Sequence, residues 1–358
     1  MCAHNICSKG ASIALALALT TLWAGCAPST TQQNTPGNAP DATRKAPFRA
    51  ALVLDKGGID DKSFNAAAWD GMQRAIQELG IDGKYVESVN ESVYKTNLSR
   101  LAQQGYNVVI AVGFAMEDAL NAVAPQFPNV TFAIIDGNAP DLPNCAALKF
   151  REEEGAFLVG FLAASMSKTR VIGFVGGMEI PLIKKFEAGY RAGARTASPD
   201  VQVKATYTGD WEDLNKGKSQ AEQLFGNGAD IIFHGAGKCG VGVIRAAEAR
   251  GDGFYAIGVD KDQDGEAPGH VLTSMIKRVD NAVFETIRAV KENRFTPGEQ
   301  VFGLKQGGVG LSEMKYTRDK VPPAVLEKLK KLEQKIIRGE ITIPTRLEDL
   351  ATFQPPEI

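Results

Sequence analysis

The 358-residue chain has few of the residues that carry most enzyme chemistry. Its three histidines, His4, His234 and His270, offer no metal-ligand spacing. Of its five cysteines, Cys2, Cys7 and Cys26 stand near the start, leaving Cys145 and Cys239 in the body, too few for a disulfide framework. No G-x-S-x-G elbow, no P-loop and no Cys/His pair with an evident orienting partner occurs. Charge excess is also missing. A formal net charge of -2 gives no reason to expect nucleic acid or an anionic membrane surface as partner. There is no coiled coil and no short-period repeat. The apolar run Ala11 to Ala24 is too short to span a bilayer comfortably.

That run follows Lys9 and suits the h-region of a secretory signal, placed at residues 1–25. Ala24 and Gly25 before Cys26 resemble a bacterial lipobox, in which the cysteine is lipidated and becomes the new N-terminus. Trp23 stands where that pattern favours Leu, with Leu22 behind it, so ordinary signal cleavage nearby is the alternative. Either route exports the chain. Residues 26–47 are rich in Pro, Thr, Asn and Gln without an apolar period, and read as a disordered tether. Fully extended, its roughly 20 residues would reach about 70 Å.

Over the whole chain, hydrophobic residues at 44% and charged residues at 23% are ordinary for a soluble globular protein, and the body begins at Phe48. Apolar strand patterns alternate with helical ones. Strands are expected at Arg49 to Asp55, Lys84 to Val89, Val108 to Val112, Thr131 to Asp136 and Cys145 to Phe150. The rhythm restarts at Arg170 to Gly176 and continues through Val201 to Thr208, Asp230 to Gly235, Tyr255 to Asp260 and Val271 to Lys277. Helices fall between them, with one more at Val279 to Lys291, a Gly-rich piece at Gly303 to Gly310 and a charged helix at Pro323 to Arg338. About ten strands in two similar runs imply an α/β fold of two doubly wound lobes. Ligands lodge beyond the carboxyl ends of such strands.

Several chemistry-bearing residues stand at those ends. Asp55, Asp136 and Asp260 each follow an apolar strand and can accept hydrogen bonds from ligand hydroxyl or N–H groups; each can equally cap the next turn. Asp55 to Asn65 is a polar turn before an amphipathic helix in which Phe64 holds an apolar position, with Asp60, Asp61 and Ser63 as caps. Gly173 to Gly193 repeats that strand, double glycine and helix, with Phe186 in the helix; facing Phe64 from the other lobe, it could sandwich a flat ring. Stacking of that kind contributes roughly 1–3 kcal/mol per base. Lys277 ends an apolar strand, where it is either solvated or a donor to ligand oxygens. Gly235 to Gly240 reads GAGKCG, with Asp260 at the end of a later strand, which is the dinucleotide-binding pattern. An exported NAD-linked oxidoreductase is therefore a rival reading, although no acid–base set accompanies the motif.

Together, DKGGIDDKSFNAAAWDG (55–71), GFVGGMEIPLIKKFEAGYRAG (173–193), GADIIFHGAGKCGVG (228–242), YAIGVDKDQ (255–263) and VLTSMIKRVDNAVFETI (271–287) resemble the basic membrane protein (BMP) family, from Phe48 to about Ser312. These are bacterial lipoproteins that serve ABC importers as substrate-binding components for purine nucleosides. The resemblance implies a type I periplasmic-binding-protein fold, two Rossmann-like lobes joined by a three-strand hinge. The N-terminal lobe would comprise 48–150 plus about 272–302, and the C-terminal lobe 151–271 plus about 303–350. Crossings would fall near Phe150 to Arg151, His270 to Ser274 and Gly303 to Gly310. Phe64 and Phe186 would stack on the purine of inosine, guanosine or adenosine, Asp260 would bond the base, and Asp136 and Lys277 would hold the ribose hydroxyls. Asp55, Ser63, Asn65, Phe114, Gly237 and Gly240 would complete the pocket. The protein would act as a monomer without cofactor, metal or nucleic acid. It would be anchored through Cys26 on the periplasmic or extracellular side of the cell membrane, and deliver ligand to an ABC permease. Lys56, Lys238 and Cys239 depart from the family pattern and would shift preference towards oxygen-rich ligands. A receptor of the same fold for a sugar or another heterocycle is the alternative.

Overall fold

Apolar runs become central strands and the amphipathic stretches become the helices that cover them, in a computed structural model that describes residues 46–358. The expected signal segment, the expected lipidation site at Cys26 and nearly all of the expected tether lie outside those residues. In chain order come β1 (Arg49–Leu54), α1 (Phe64–Leu79), β2 (Asp82–Glu87), α2 (Tyr94–Gln103), β3 (Val108–Val112), α3 (Glu117–Val123), β4 (Thr131–Ile135) and β5 (Cys145–Phe150). Next are α4 (Glu152–Met166), β6 (Val171–Gly176), α5 (Pro181–Ala197), β7 (Gln202–Tyr207), α6 (Leu214–Gly226), β8 (Ile231–Gly235), α7 (Cys239–Arg250), β9 (Tyr255–Asp260) and β10 (Val271–Lys277). The remainder is α8 (Val279–Lys291), β11 (Gly298–Phe302), β12 (Val309–Leu311) and α9 (Pro323–Ile337).

These strands form two six-stranded sheets of order β11-β5-β4-β3-β1-β2 and β12-β10-β9-β8-β6-β7. All pairings are parallel except β10 with β12. Strands covered on both faces should be apolar throughout. β3, with all five residues buried, is the plainest case. Among the described residues no helix is long and apolar enough to cross a membrane.

Two strands, β11 and β12, lie outside the expected set. GEQVF has no apolar run and is half exposed, and VGL is only three residues long. Both are edge strands that exist by pairing with β5 and β10.

The chain passes between the sheets after Phe150, again at Arg278, and finally between Phe302 and Val309. The second passage thus falls beyond the expected His270 to Ser274, because Val271–Lys277 pairs along its length with β9 in the second sheet. Residues 272–277 therefore belong with the second sheet rather than the first, as does the whole of β10. Only after Arg278 does the chain return to the first sheet. There α8 packs on α1 so closely that a Cβ on Gly71 would stand 2.2 Å from the Asp280 carbonyl oxygen.

Beside the second sheet, α4 and α5 also pack backbone to backbone. A Cβ on Gly189 would come within 2.4 Å of the Glu153 carbonyl oxygen, and one on Gly193 within 1.9 Å of the Phe157 oxygen. Residues Gly155 to Ala163 of α4 are buried all round, as a helix enclosed on every side must be. This close contact sets the first turn of α4 against the middle of α5, where Lys185, one turn before Gly189, reaches Glu152.

Candidate functional site

The carboxyl ends of both sheets open on one shared cavity, the place where α/β folds of this kind hold small molecules. The first sheet and its helices contribute Asp55, Gly57, Asp61, Phe64, Asn65, Gly113, Phe114 and Asp136. The second contributes Leu182, Ile183, Phe186, Trp211, Gly235, Gly237, Val259, Asp260 and Lys277. Nine of the residues singled out from sequence thus line one space: Asp55, Phe64, Asn65, Phe114, Asp136, Phe186, Gly237, Asp260 and Lys277.

Two do not. Ser63 is fully buried beneath the cavity, and its hydroxyl donates to the Asp260 carboxylate across the two sheets. Gly240 lies in the first turn of α7, which begins at Cys239, so it turns inward; a Cβ there would meet the His234 ring at 2.0 Å. None of the departures from the family pattern is in the cavity lining. Lys56 pairs with Glu91 at 3.2 Å, Lys238 is not in the lining, and Cys239 is buried with its thiol 3.5 Å from the Asp210 carbonyl oxygen.

The opening turn is held by its own carboxylates. Asp61 accepts from the backbone N–H groups of Ser63, Asn65 and Ala66 at 2.9, 2.7 and 3.0 Å, which caps α1. Burial still pushes its carboxyl up to about 7 against those three bonds. Asp55 accepts from Gly57 N–H at 3.1 Å and from Asn65 Nδ2 at 2.8 Å, and burial raises it as well. Asn65 must turn its amide nitrogen to that carboxylate, so Oδ1 is left buried without a hydrogen-bond partner among the described residues.

Asp136 and Asp260 share a backbone feature. Each has φ of 65°, the left-handed region, at the carboxyl end of the third strand in its sheet. Such a conformation in a non-glycine residue costs on the order of 1 kcal/mol or more, and clusters at binding sites. It turns both carboxylates from the strand ends into the cavity.

Between them sits Lys277, 2% exposed, with Nζ 2.6 Å from Asp136 and 2.9 Å from Glu152. Burial works to lower the ammonium's affinity for its proton, but Asp136, Glu152 and Asp260 together raise it above the ordinary lysine range. Burial raises Asp136 to about 6, with Lys277 opposing, and burial raises Asp260 too. Glu152 is completely buried; burial would raise it, yet Lys277 and Lys185 hold it below the usual carboxylate range. At neutral pH the site is therefore a charged network, with one Asp136 oxygen, Oδ1, buried and unpartnered among the described residues.

The same ammonium lies 5.2 Å from the Phe64 ring centroid, 5.0 Å from Phe150 and 5.9 Å from Phe186. Both expected stacking residues thus converge from opposite sheets on the cavity. Phe186 is also core, 6.3 Å from the Phe233 ring. Sequence reasoning misses Trp211 and Glu152. Trp211 stands in the polar turn after β7, where an aromatic among Gly, Asp and Glu is the available signal. Glu152 opens a run of three glutamates that reads as a solvated helix start. Among the described residues no group of three or more His, Cys, Asp or Glu is arranged to hold a metal ion.

Two α/β halves whose strand ends face one polar and aromatic cavity define a solute-binding protein of type I fold. The chain belongs to the Bmp family, described as ABC transporter substrate-binding protein PnrA-like, whose pattern matches residues 48–346. It is 35% identical to the ABC transporter nucleoside-binding protein BmpA of Lactococcus lactis over 93% of this chain and 97% of that protein. It is 38% identical to basic membrane protein A1 of Borrelia garinii, over 85% of this chain and 90% of that one. Among solved structures, an ABC transporter solute-binding protein of Aeropyrum pernix superposes with a TM-score of 0.80 at 31% identity, covering 86% of this chain and 98% of that one.

Proposed function

We propose that this protein is the substrate-binding lipoprotein of an ABC importer and that it encloses a purine nucleoside between its two lobes. The observation that carries this reading is the pairing of Phe64 and Phe186 from opposite sheets around a cavity that ends in the buried Asp136–Lys277 pair. An aromatic clamp suits a flat base, and a carboxylate beside an ammonium suits a vicinal diol, whose hydroxyls both donate and accept. Asp260, steadied by Ser63, accepts from base N–H groups, while Asp55, Asn65, Phe114 and Gly237 close the remaining wall. Asp55, Asp61, Asp136 and Asp260 against a single lining lysine favour a ligand rich in donors and oppose a phosphate. The nucleoside-binding relative from Lactococcus supports the nucleoside, and the substrate-binding family supports binding without chemistry over an NAD-linked oxidoreductase.

The ligand acts by selecting the closed form, which a permease can distinguish from the open one. Lipidation at Cys26 and a tether through residue 47 would hold the body on the outer side of a membrane within reach of that permease. The protein would work as a monomer, since both stacking residues and both halves of the charge pair come from one chain. Denaturing the purified protein and identifying released small molecules by mass spectrometry tests the reading. Inosine, guanosine or adenosine is expected; NAD(P) or a free sugar overturns it.

A further inference from the structure

We infer that Glu152 is a positioning residue for the ligand's hydroxyl groups, holding the Lys277 ammonium in place from within the second lobe, independently of Asp136. This inference rests on the nucleoside reading given above. Glu152 does not line the cavity, so it acts through Lys277 and not by touching ligand.

The three charged partners ride on different parts of the molecule. Lys277 ends β10 and Glu152 opens α4, both on the second-lobe side, whereas Asp136 follows β4 of the first sheet. The 2.6 Å contact of Lys277 with Asp136 therefore spans the cleft, and the 2.9 Å contact with Glu152 does not. When the lobes part, the first pair must break while the second can persist. Without Glu152, an ammonium that had lost Asp136 would keep only Asp260, which ends β9 in the same sheet, and would hold its proton less tightly. Glu152, completely buried and at a helix N-terminus that favours negative charge, is placed to prevent this.

Glu152 also reaches the aromatic wall. Its other oxygen pairs with Lys185, whose ammonium donates to the Phe150 carbonyl at 2.8 Å and lies 3.8 Å from Glu153. Lys185 immediately precedes Phe186 in α5. The carboxylate thus fixes the donor for the sugar and, through Lys185, the turn of helix that presents the ring. Phe150 is the last residue before the first passage between sheets, and its ring packs on Phe302 at the third, 5.4 Å between centroids. The network consequently touches all three passages, because Lys277 is the last residue of β10 before the second.

The charged groups facing Lys277 are Asp136, Glu152 and Asp260, and Lys185 faces Glu152 from α5. With glutamine at 152, the ammonium keeps only Asp136 and Asp260 and gives up its proton at lower pH than in the parent. Affinity that depends on the ammonium should then fall as pH rises, whereas the parent should hold its affinity.

The test is calorimetry on the full-length protein with guanosine and 2′,3′-dideoxyguanosine, from about pH 6.5 to about pH 8.5, below the range in which guanine N1 itself loses its proton. Glu152→Gln should lose about tenfold or more in guanosine affinity but less than about threefold for the dideoxy analogue, with the loss growing as pH rises. Glu152→Asp, which keeps the charge, should restore a flat pH profile and most of the preference for the ribose. It also serves if the glutamine variant does not fold. Equal losses for both ligands, an unchanged pH profile in Glu152→Gln, or an aspartate variant that behaves as the glutamine one overturns the inference. A parent protein that binds none of inosine, guanosine and adenosine overturns the nucleoside reading itself, and the inference with it; one that binds inosine or adenosine but not guanosine takes the same comparison with that nucleoside and its 2′,3′-dideoxy analogue.

Discussion

The two sheets repeat one design with different electrical character. Their strand orders correspond position by position, so β4 matches β9 and β1 matches β6. Asp136 and Asp260 occupy equivalent places with the same left-handed backbone, and Phe64 and Phe186 both come from the helix after the matching first strand. The turns differ. After β1 stands Asp55, whereas after β6 stands Gly177, where a Cβ would lie 2.2 Å from the Trp211 ring. The first half therefore presents three carboxylates, Asp55, Asp61 and Asp136. The second sets Trp211 and the only lysine of the cavity lining, Lys277, beside its single carboxylate, Asp260. A shared scaffold fixes where side chains emerge; what emerges makes the two faces complementary. Both sets of side chains meet at one cavity.

The most severe challenge to this division of labour is to remove the cation from its half. Lys277→Met leaves Asp136, Glu152 and Asp260 buried together, and should cost roughly 3–5 kcal/mol of stability in urea unfolding. A variant as stable as the parent would show that the two halves do not depend on each other's charge.

The matched phenylalanines should separate next. Phe64→Ala and Phe186→Ala should each weaken nucleoside binding by roughly 1–3 kcal/mol in calorimetry, as loss of one stacking face does. Stability should distinguish them. Phe186 is 3% exposed and touches the core through Phe233, so its truncation should lower the unfolding midpoint, with a loss of up to about 3 kcal/mol. Phe64 is only partly buried and should change stability less. Equal destabilisation would make the two walls interchangeable, contrary to the packing.

The smallest effect concerns a contact between the halves outside the cavity. Lys261 and Asp70 lie 2.5 Å apart but are 33% and 46% exposed on their side chains. Lys261→Gln should therefore alter nucleoside affinity by no more than roughly 0.2–1 kcal/mol, and less at high salt. A larger loss would move the latch between lobes from the buried site to the rim. The part-buried link from Gln263 Nε2 to the Lys62 carbonyl, 3.1 Å long, is the better placed of the two for that role.

Much of this arrangement is legible in the chain. Val108–Val112, Cys145–Phe150, Tyr255–Asp260 and Val271–Lys277 form strands with the bounds their apolar runs imply, and α1, α5 and α8 follow their helical periods. The aspartates at strand ends are legible for the same reason, since a parallel sheet sends all those ends to one edge. Ser63 and Gly240 are harder. A serine before a helix reads as its cap, but here Asp61 takes the backbone N–H groups and frees the hydroxyl for Asp260. A glycine in a G-x-G-x-x-G run reads as loop, but the helix starts early enough to turn it towards His234.

Period and turn chemistry act over a few neighbouring residues, so the order of amino acids was enough to place most strands, the helices and the side chains at the edge facing the cavity. The partners came from the fold. Lys277 meets Asp136 and Glu152, Ser63 meets Asp260, and Trp211 fills the space beside Gly177, through contacts that local patterns do not encode. The edge strands β11 and β12 belong to the same class, since they exist by pairing with strands distant in sequence or by returning to them. Burial gives those meetings their energetic weight. A charge in the cavity must find its counter-charge wherever the fold has brought one, and the neighbouring sequence does not say where that is.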